Sequence, residues 1–140
     1  DSQLGINRVQ EFLNKIEYGN QTTSSNLDLY WSDFSLKISP LEQVTLLKKF
    51  NTNEFHLNSQ NVFSVKNAIK IASTPNGNFY GKTGTGRVNG QDINGWFIGY
   101  VETSDNSYYF ATNIQSDSNA TGKKAFEITS DILKKLHIWN

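Results

Sequence analysis

The fold is indicated most clearly by residues 79–115, FYGKTGTGRVNGQDINGWFIGYVETSDNSYYFATNIQ. It contains three segments rich in aromatic and β-branched residues, separated by the turn signals Asn89-Gly90 and Ser104-Asp105-Asn106. The segments are 79–84, 93–103 and 107–115. This pattern predicts three sequential antiparallel strands. In the middle segment the run Trp96–Val101 is apolar without alternation, which predicts that both faces of that strand are covered.

Helical periodicity marks the chain on both sides of these strands. Ser39-Pro40-Leu41-Glu42 combines a capping hydroxyl, a proline at the first helical position and a glutamate that can reach back to the cap, so a helix is expected to begin here. Apolar residues at helical spacing predict three further helices. They cover about 3–17, 59–72 and 121–137. Residues 20–35 are polar but carry three aromatic residues, which indicates an Ω-like loop.

Helices first, and then a meander of strands with a covering helix, define an α+β fold. We expect residues 1–75 to form a mainly helical part and residues 76–140 to form the sheet plus the C-terminal helix. The length of 140 residues fits one domain or part of one. Because the chain begins at Asp1 without a methionine, we expect its start to be processed or truncated.

Composition excludes several classes of partner and site. Thirteen basic and thirteen acidic side chains give a net charge of zero without a basic cluster, so nucleic acid is not expected as a partner. No cysteine is present, and neither His56 nor His137 has a glutamate or histidine at metal-ligand spacing, so no metal site is expected. No apolar run reaches the roughly 20 residues that a membrane-spanning helix needs.

Gly81-Lys82-Thr83-Gly84-Thr85-Gly86 is the strongest local motif. A phosphate-binding loop needs four residues between its glycines and a helix after the lysine. Here only three residues separate Gly77 from Gly81, and strands are predicted after Lys82, so this kind of loop is excluded. On a strand, the motif offers a cation, hydroxyl donors and backbone amides that the glycines leave accessible, which suits binding of a carboxylate and of a developing oxyanion. The alternative is that this lysine only ends a glycine-rich hairpin strand.

Other motifs extend along most of the chain and resemble class D β-lactamases and the related β-lactam sensors of the BlaR/MecR type. Lys-Thr-Gly belongs to the motif set of serine β-lactamases and penicillin-binding proteins. Tyr18-Gly19-Asn20, Trp31 followed by Ser35–Pro40, and Asn94–Val101 are similar to class D segments and stand in family order. The resemblance implies the C-terminal half of a serine β-lactamase or transpeptidase-like domain.

The resemblance also implies roles for single residues. Lys82, Thr83 and Thr85 would hold the carboxylate of a β-lactam, beside Gly84, and the amide of Thr85 would supply half of an oxyanion hole. Trp31 would donate its indole N–H to a carboxylated lysine that acts as general base. A loop anchor in the core is the simpler interpretation of Trp31, and Tyr18-Gly19-Asn20 is interpreted as structural rather than catalytic.

The departures from the family pattern concern the nucleophile. No serine is followed three residues later by lysine, and the second family motif is also missing. The resemblance therefore implies that the acylated serine and the carboxylated lysine lie before residue 1, in an N-terminal half that completes the domain. No catalytic residue and no cofactor is expected in the chain itself, and whether the parent protein is an enzyme stays open.

Three functions remain open on the sequence. The first is a β-lactam sensor-transducer that is acylated and induces resistance, the second is a class D β-lactamase, and the third is an unrelated α+β binding module. Ser32 favours the sensor, because the resemblance places an apolar residue there in the hydrolases, where it keeps the base lysine dry. The first two functions imply an extracytoplasmic location, and the sensor implies a possible membrane tether.

Overall fold

The computed structural model describes residues 5–23 and 35–139. Four helices and four strands succeed one another in this part of the chain. In order they are α1 (Ile6–Lys15), α2 (Pro40–Asn51), α3 (Ser59–Ala68), β1 (Lys70–Thr74), β2 (Gly77–Val88), β3 (Gln91–Thr103), β4 (Ser107–Gln115) and α4 (Gly122–Lys135). The predicted α+β class is confirmed.

The helix predicted to begin at Pro40 does so, with the expected cap. The hydroxyl of Ser39 accepts from the backbone amide of Glu42 at 3.2 Å, and the carboxylate of Glu42 accepts from the amide of Ser39 at 2.8 Å. These hydrogen bonds lower the pKa of Glu42. Such a capping box satisfies two of the amides that every helix leaves unpaired at its start.

The prediction of one helix over 59–72 is wrong for residues 69–72, and the sheet has four strands where three were expected. α3 ends at Ala68, and Lys70–Thr74 forms β1, which pairs antiparallel with β2. Ile69 follows Val65 at helical spacing, which favoured a longer helix, but β-branched residues such as Ile71 also suit a strand. Thr74 lies opposite Gly77, so Pro75 and Asn76 make a two-residue hairpin turn, and its pairing decides the structure of this segment.

One antiparallel sheet with strand order β1-β2-β3-β4 contains all four strands. β2 pairs with β3 from Gly77 opposite Thr103 to Val88 opposite Gln91, with a bulge between Gly86 and Arg87. The predicted turn joins them, since Asn89 and Gly90 both have positive φ (48° and 78°). β4 occupies the predicted residues 107–115.

Helix α4 covers one face of the sheet and completes the core. Phe97 on β3 is 1% exposed, and its ring centroid lies 6.0 Å from that of Phe79 and 5.0 Å from that of Phe126. The buried members of this core are Phe79, Phe97, Val101, Ala125 and Leu133. The hydroxyls of Thr112 on β4 and Thr129 on α4 lie 2.7 Å apart and join helix to sheet.

The opposite face of the sheet carries tyrosines and contacts α2. The rings of Tyr80 and Tyr100 stack at 4.7 Å, and that of Tyr109 lies 5.7 Å from Tyr100. Asn51 at the end of α2 donates to the hydroxyl of Tyr109 at 2.9 Å. Tyr100 is fully buried, as are Phe97 and Val101, so both faces of β3 are covered as predicted.

Candidate functional site

The Lys-Thr-Gly motif lies where β2 loses one of its two neighbours. β1 pairs with β2 only as far as Tyr80, and one further hydrogen bond runs from the amide of Gly81 to the carbonyl of Ile69 (2.8 Å). Beyond Gly81, β2 continues to Val88 with β3 alone beside it in the described part of the chain. From Lys82 onward, therefore, one edge of β2 is open.

The direction of the backbone amides along that edge follows from the strand geometry. Because alternate residues of a strand turn their N–H and C=O groups to the same side, Thr83 and Thr85 share the direction of Gly81, whose amide points to β1. Their amides and carbonyls therefore face the open edge. Both residues are exposed, so another molecule can reach these groups.

Lys82 provides a positive charge beside this edge. Its Nζ donates to the carbonyl oxygen of Thr83 at 2.7 Å, and the residue is exposed. Within residues 5–23 and 35–139, no carboxylate lies at salt-bridge distance from Lys82, whereas Lys66 and Arg87 each have an acidic partner. The ammonium is therefore available to an anion that approaches the edge.

The first residue of α4 packs against one face of the motif strand. The amide of Gly122 donates to Oγ1 of Thr85 at 2.9 Å. A Cβ on Gly122 would lie 2.6 Å from the carbonyl oxygen of Gly84 and 2.9 Å from the Cβ of Thr83. The side chains of Thr83 and Thr85 thus face α4, whereas that of Lys82, one residue away, belongs to the opposite face.

The two glycines that flank Lys82 and Thr83 differ in what surrounds them. A Cβ on Gly81 would meet the ring of Phe97 at 2.6 Å, so packing alone requires glycine there. A Cβ on Gly84 would meet only the Cβ of Trp96, at 3.8 Å. The described part of the chain therefore leaves space beside Gly84, next to the exposed amides.

The structure thus brings Lys82, Thr83, Gly84 and Thr85 together on the open half of β2. Their predicted roles toward a ligand stay predictions. Trp31 and Ser32 lie outside the described residues, as does most of the predicted Ω-like loop. Gly95 and Gly122, which lie against the motif, were not identified from the sequence, where only the general affinity of glycine for close backbone contacts could have indicated them.

Tyr18-Gly19-Asn20 has the structural role that was predicted. The amide of Asn20 donates to the carbonyl of Lys37 at 2.9 Å, and its Oδ1 accepts from the amide of Lys37 at 2.9 Å. Its Nδ2 donates to the carbonyl of Ser35 at 2.8 Å. Asn20 therefore holds together the two ends of the segment that contains Trp31.

Tyr80, Tyr100 and Tyr109 form a cluster on the face of the sheet that contacts α2. Burial raises the pKa of Tyr100, and the carboxylate of Glu102 and the neighbouring Tyr80 and Tyr109 add to the increase. Burial and the same carboxylate raise the pKa of Tyr80. The Nζ atom of Lys66 lies 3.9 Å from Oε1 of Glu102. The hydroxyl of Tyr100 is buried without a hydrogen-bond partner in the described part of the chain.

The described ranges contain neither a metal cluster nor a membrane-spanning helix. No group of three or more histidine, aspartate or glutamate side chains there is placed to hold a metal ion. None of the helices in these ranges combines the length and hydropathy that crossing a bilayer requires.

The chain matches known proteins over nearly its whole length. Residues 1–134 match the family model of the penicillin-binding protein transpeptidase domain. The methicillin resistance protein MecR1 of Staphylococcus aureus is 44% identical over 138 residues, which cover 99% of this chain and 23% of MecR1.

The chain is also similar to solved structures of related proteins. The C-terminal domain of the Bacillus licheniformis BlaR penicillin-receptor superposes with a TM-score of 0.94 at 45% identity, covering 100% of this chain and 56% of that one. A class D β-lactamase from Bacillus subtilis has a TM-score of 0.90 at 36% identity, covering 99% and 56%. The chain therefore spans a little over half of these structures.

These matches confirm the resemblance drawn from the Lys-Thr-Gly, Tyr-Gly-Asn and Asn94–Val101 segments. They contradict the hypothesis of an unrelated binding module. The chain belongs to the penicillin-binding protein transpeptidase domain family.

Proposed function

We propose that this chain is the part of a β-lactam sensor-transducer domain that recognises the antibiotic, and that the serine acylated by the drug lies outside it. The observation that carries the proposal is the open edge of β2, where Lys82 has no acidic partner in the described ranges and the amides of Thr83 and Thr85 face outward. Relatives named as a penicillin-receptor and as a methicillin resistance protein support the sensor.

The chemistry of a β-lactam matches the groups along this edge. The drug carries a carboxylate, for which Lys82 supplies charge and Thr83 and Thr85 supply hydroxyl groups. During acylation, the serine hydroxyl would give its proton to the general base, its oxygen would bond to the lactam carbonyl carbon, the ring C–N bond would break, and the ring nitrogen would take up the proton from the base. The carbonyl oxygen becomes negative on the way, and the amide of Thr85 would donate to it.

Further parts of the proposal concern groups outside the described residues. Trp31 would support a carboxylated lysine, and both that lysine and the nucleophile would come from the N-terminal half of the domain. The domain would lie outside the cytoplasm, where it would bind the drug before the drug enters the cell. A membrane tether in the parent protein would carry the signal inward.

Substitution of Lys82 tests the recognition step. In the complete domain, Lys82→Ala should slow acylation by a labelled penicillin roughly 10- to 150-fold, because a hydrogen bond to a charged group contributes about 1.5–3 kcal/mol. Intact mass against time measures the rate, and Lys134→Ala, an exposed lysine at the end of α4, is the control. Equal rates in wild type and Lys82→Ala would contradict the assignment.

A class D β-lactamase is the second candidate, favoured by the superposition on the enzyme from Bacillus subtilis. The two functions differ in the fate of the acyl group. A sensor keeps its acyl group for as long as a bacterial generation, whereas a typical enzyme turns over about 10 times per second. We expect a stable acyl-serine, because the polar Ser32 after Trp31 should hydrate the pocket of the base. Rapid loss of the acyl group would identify a hydrolase.

A further inference from the structure

Three glycines meet at the place where α4 begins on the sheet. Gly122 is the first residue of α4, and a Cβ there would collide with the backbone of Gly84, at 2.6 Å from its oxygen and 2.9 Å from its nitrogen. Real Cβ atoms do not approach backbone atoms so closely. The helix can therefore touch the Lys-Thr-Gly strand only because residue 122 has no side chain.

Gly95 makes the same kind of contact from the neighbouring strand. It lies opposite Thr85 in the sheet, and a Cβ there would lie 2.4 Å from the carbonyl oxygen of Thr121. Ala120, just before, is 2% exposed, and its amide donates to the carbonyl of Asp92 at 2.8 Å. The start of α4 thus contacts both strands, β2 through Gly122 and β3 through Ala120 and Thr121.

One hydrogen bond joins this contact to the recognition edge. The amide of Gly122 donates to Oγ1 of Thr85 at 2.9 Å, while the backbone amide of Thr85 faces the open edge of β2. Accepting this hydrogen bond uses one lone pair of the Thr85 hydroxyl and leaves the hydrogen of that hydroxyl free to be donated to another group. Thr85 is therefore fixed by α4 on one side and open to a ligand on the other.

We propose that Gly122 is a positioning residue, which places the backbone amide and the hydroxyl of Thr85 for the reaction with a β-lactam. The inference rests on the proposed function. A side chain at residue 122 would push the Gly84–Thr85 backbone away from α4, and oxyanion donors lose their effect when they are displaced from the position of the developing charge. Gly122 touches the strand and not the reacting atoms.

The test is Gly122→Ala in the complete domain, with Gly77→Ala as matched control. A Cβ on Gly77 would also collide with backbone, 2.1 Å from the carbonyl oxygen of Glu102, but about 26 Å along β2 from Thr85. We expect Gly122→Ala to slow acylation by a labelled penicillin at least about 10-fold in protein that is folded by circular dichroism. Gly77→Ala should lower the melting temperature and change the acylation rate less than about 2-fold.

Equal acylation by Gly122→Ala and wild type would overturn the proposal, and so would equal slowing by Gly122→Ala and Gly77→Ala. A wild-type domain that is not acylated at all would instead refute the proposed function. If Gly122→Ala does not fold, Thr85→Val removes the acceptor without changing the size of the side chain. Amide hydrogen exchange at Gly122 should then be faster than in wild type, together with slower acylation. Unchanged exchange would also overturn the proposal.

Discussion

The two halves of β2 differ although they form one continuous strand. From Gly77 to Gly81 the strand has β1 on one side and β3 on the other, and it contributes Phe79 to the core. From Lys82 to Val88, β3 is the one strand that pairs with it among the residues that the structure describes, and most residues of this half are exposed. The first half is held by packing, whereas the second half leaves backbone groups free for another molecule.

This difference separates stability from recognition within a few residues. Substitutions in the first half should change the free energy of unfolding, because they alter a packed core. Substitutions in the second half should change the reaction with a ligand, because little of the chain packs against it on the open side. Substitutions at three places test this separation: in the core, at the glycines of β2 and at the neighbouring tyrosines. The expected change in stability decreases in that order.

The largest effect is expected in the core that the first half joins. Phe97→Ala should destabilise the complete domain by about 3–5 kcal/mol, because it removes a buried ring that packs on Phe79 and Phe126. Urea unfolding measures the change. Lys134→Ala, at an exposed lysine near the end of α4, should change stability by less than about 0.5 kcal/mol. Similar losses in both variants would contradict the described core.

A smaller effect should separate the two glycines of β2. Gly81→Ala should cost about 1–3 kcal/mol, because its Cβ would press on the ring of Phe97. Gly84→Ala should change stability by less than about 0.5 kcal/mol and still slow acylation by a labelled penicillin, since the new methyl group fills space beside the exposed amides. Unfolding and acylation are measured on the same two proteins. If Gly84→Ala destabilises as much as Gly81→Ala, the distinction between the halves fails.

The smallest effect is a dependence of stability on alkaline pH. Because the pKa of Tyr100 is raised in the folded protein, the unfolded chain loses this proton first, and stability falls as the pH rises above about 10. Tyr100→Phe should reduce the loss between pH 7 and pH 10.5 by less than about 1 kcal/mol. The substitution should cost nothing at pH 7, since the hydroxyl that it removes has no hydrogen-bond partner within residues 5–23 and 35–139. An identical pH dependence in both proteins would contradict the prediction.

Local signals were enough to predict most of the elements. The capping box at Ser39 and Glu42 marks the start of α2, and β4 begins and ends where the sequence places it. β1 was missed, because Val62, Val65 and Ile69 follow helical spacing up to the start of the strand, and β-branched residues occur in both kinds of element. Only the pairing with Gly77–Tyr80 distinguishes the two, and that contact is not encoded in the spacing of one segment.

The candidate site divides in the same way. The motif residues 82–85, the strand that carries them and the family could be predicted from the sequence, because these depend on residue type and order. Two features could not be predicted in this way: β1 stops short of Lys82 and leaves one edge of β2 open, and Gly122 lies on Gly84 and donates to Thr85. Those facts depend on where separate segments meet, and strand pairing and helix packing are settled by the whole chain at once.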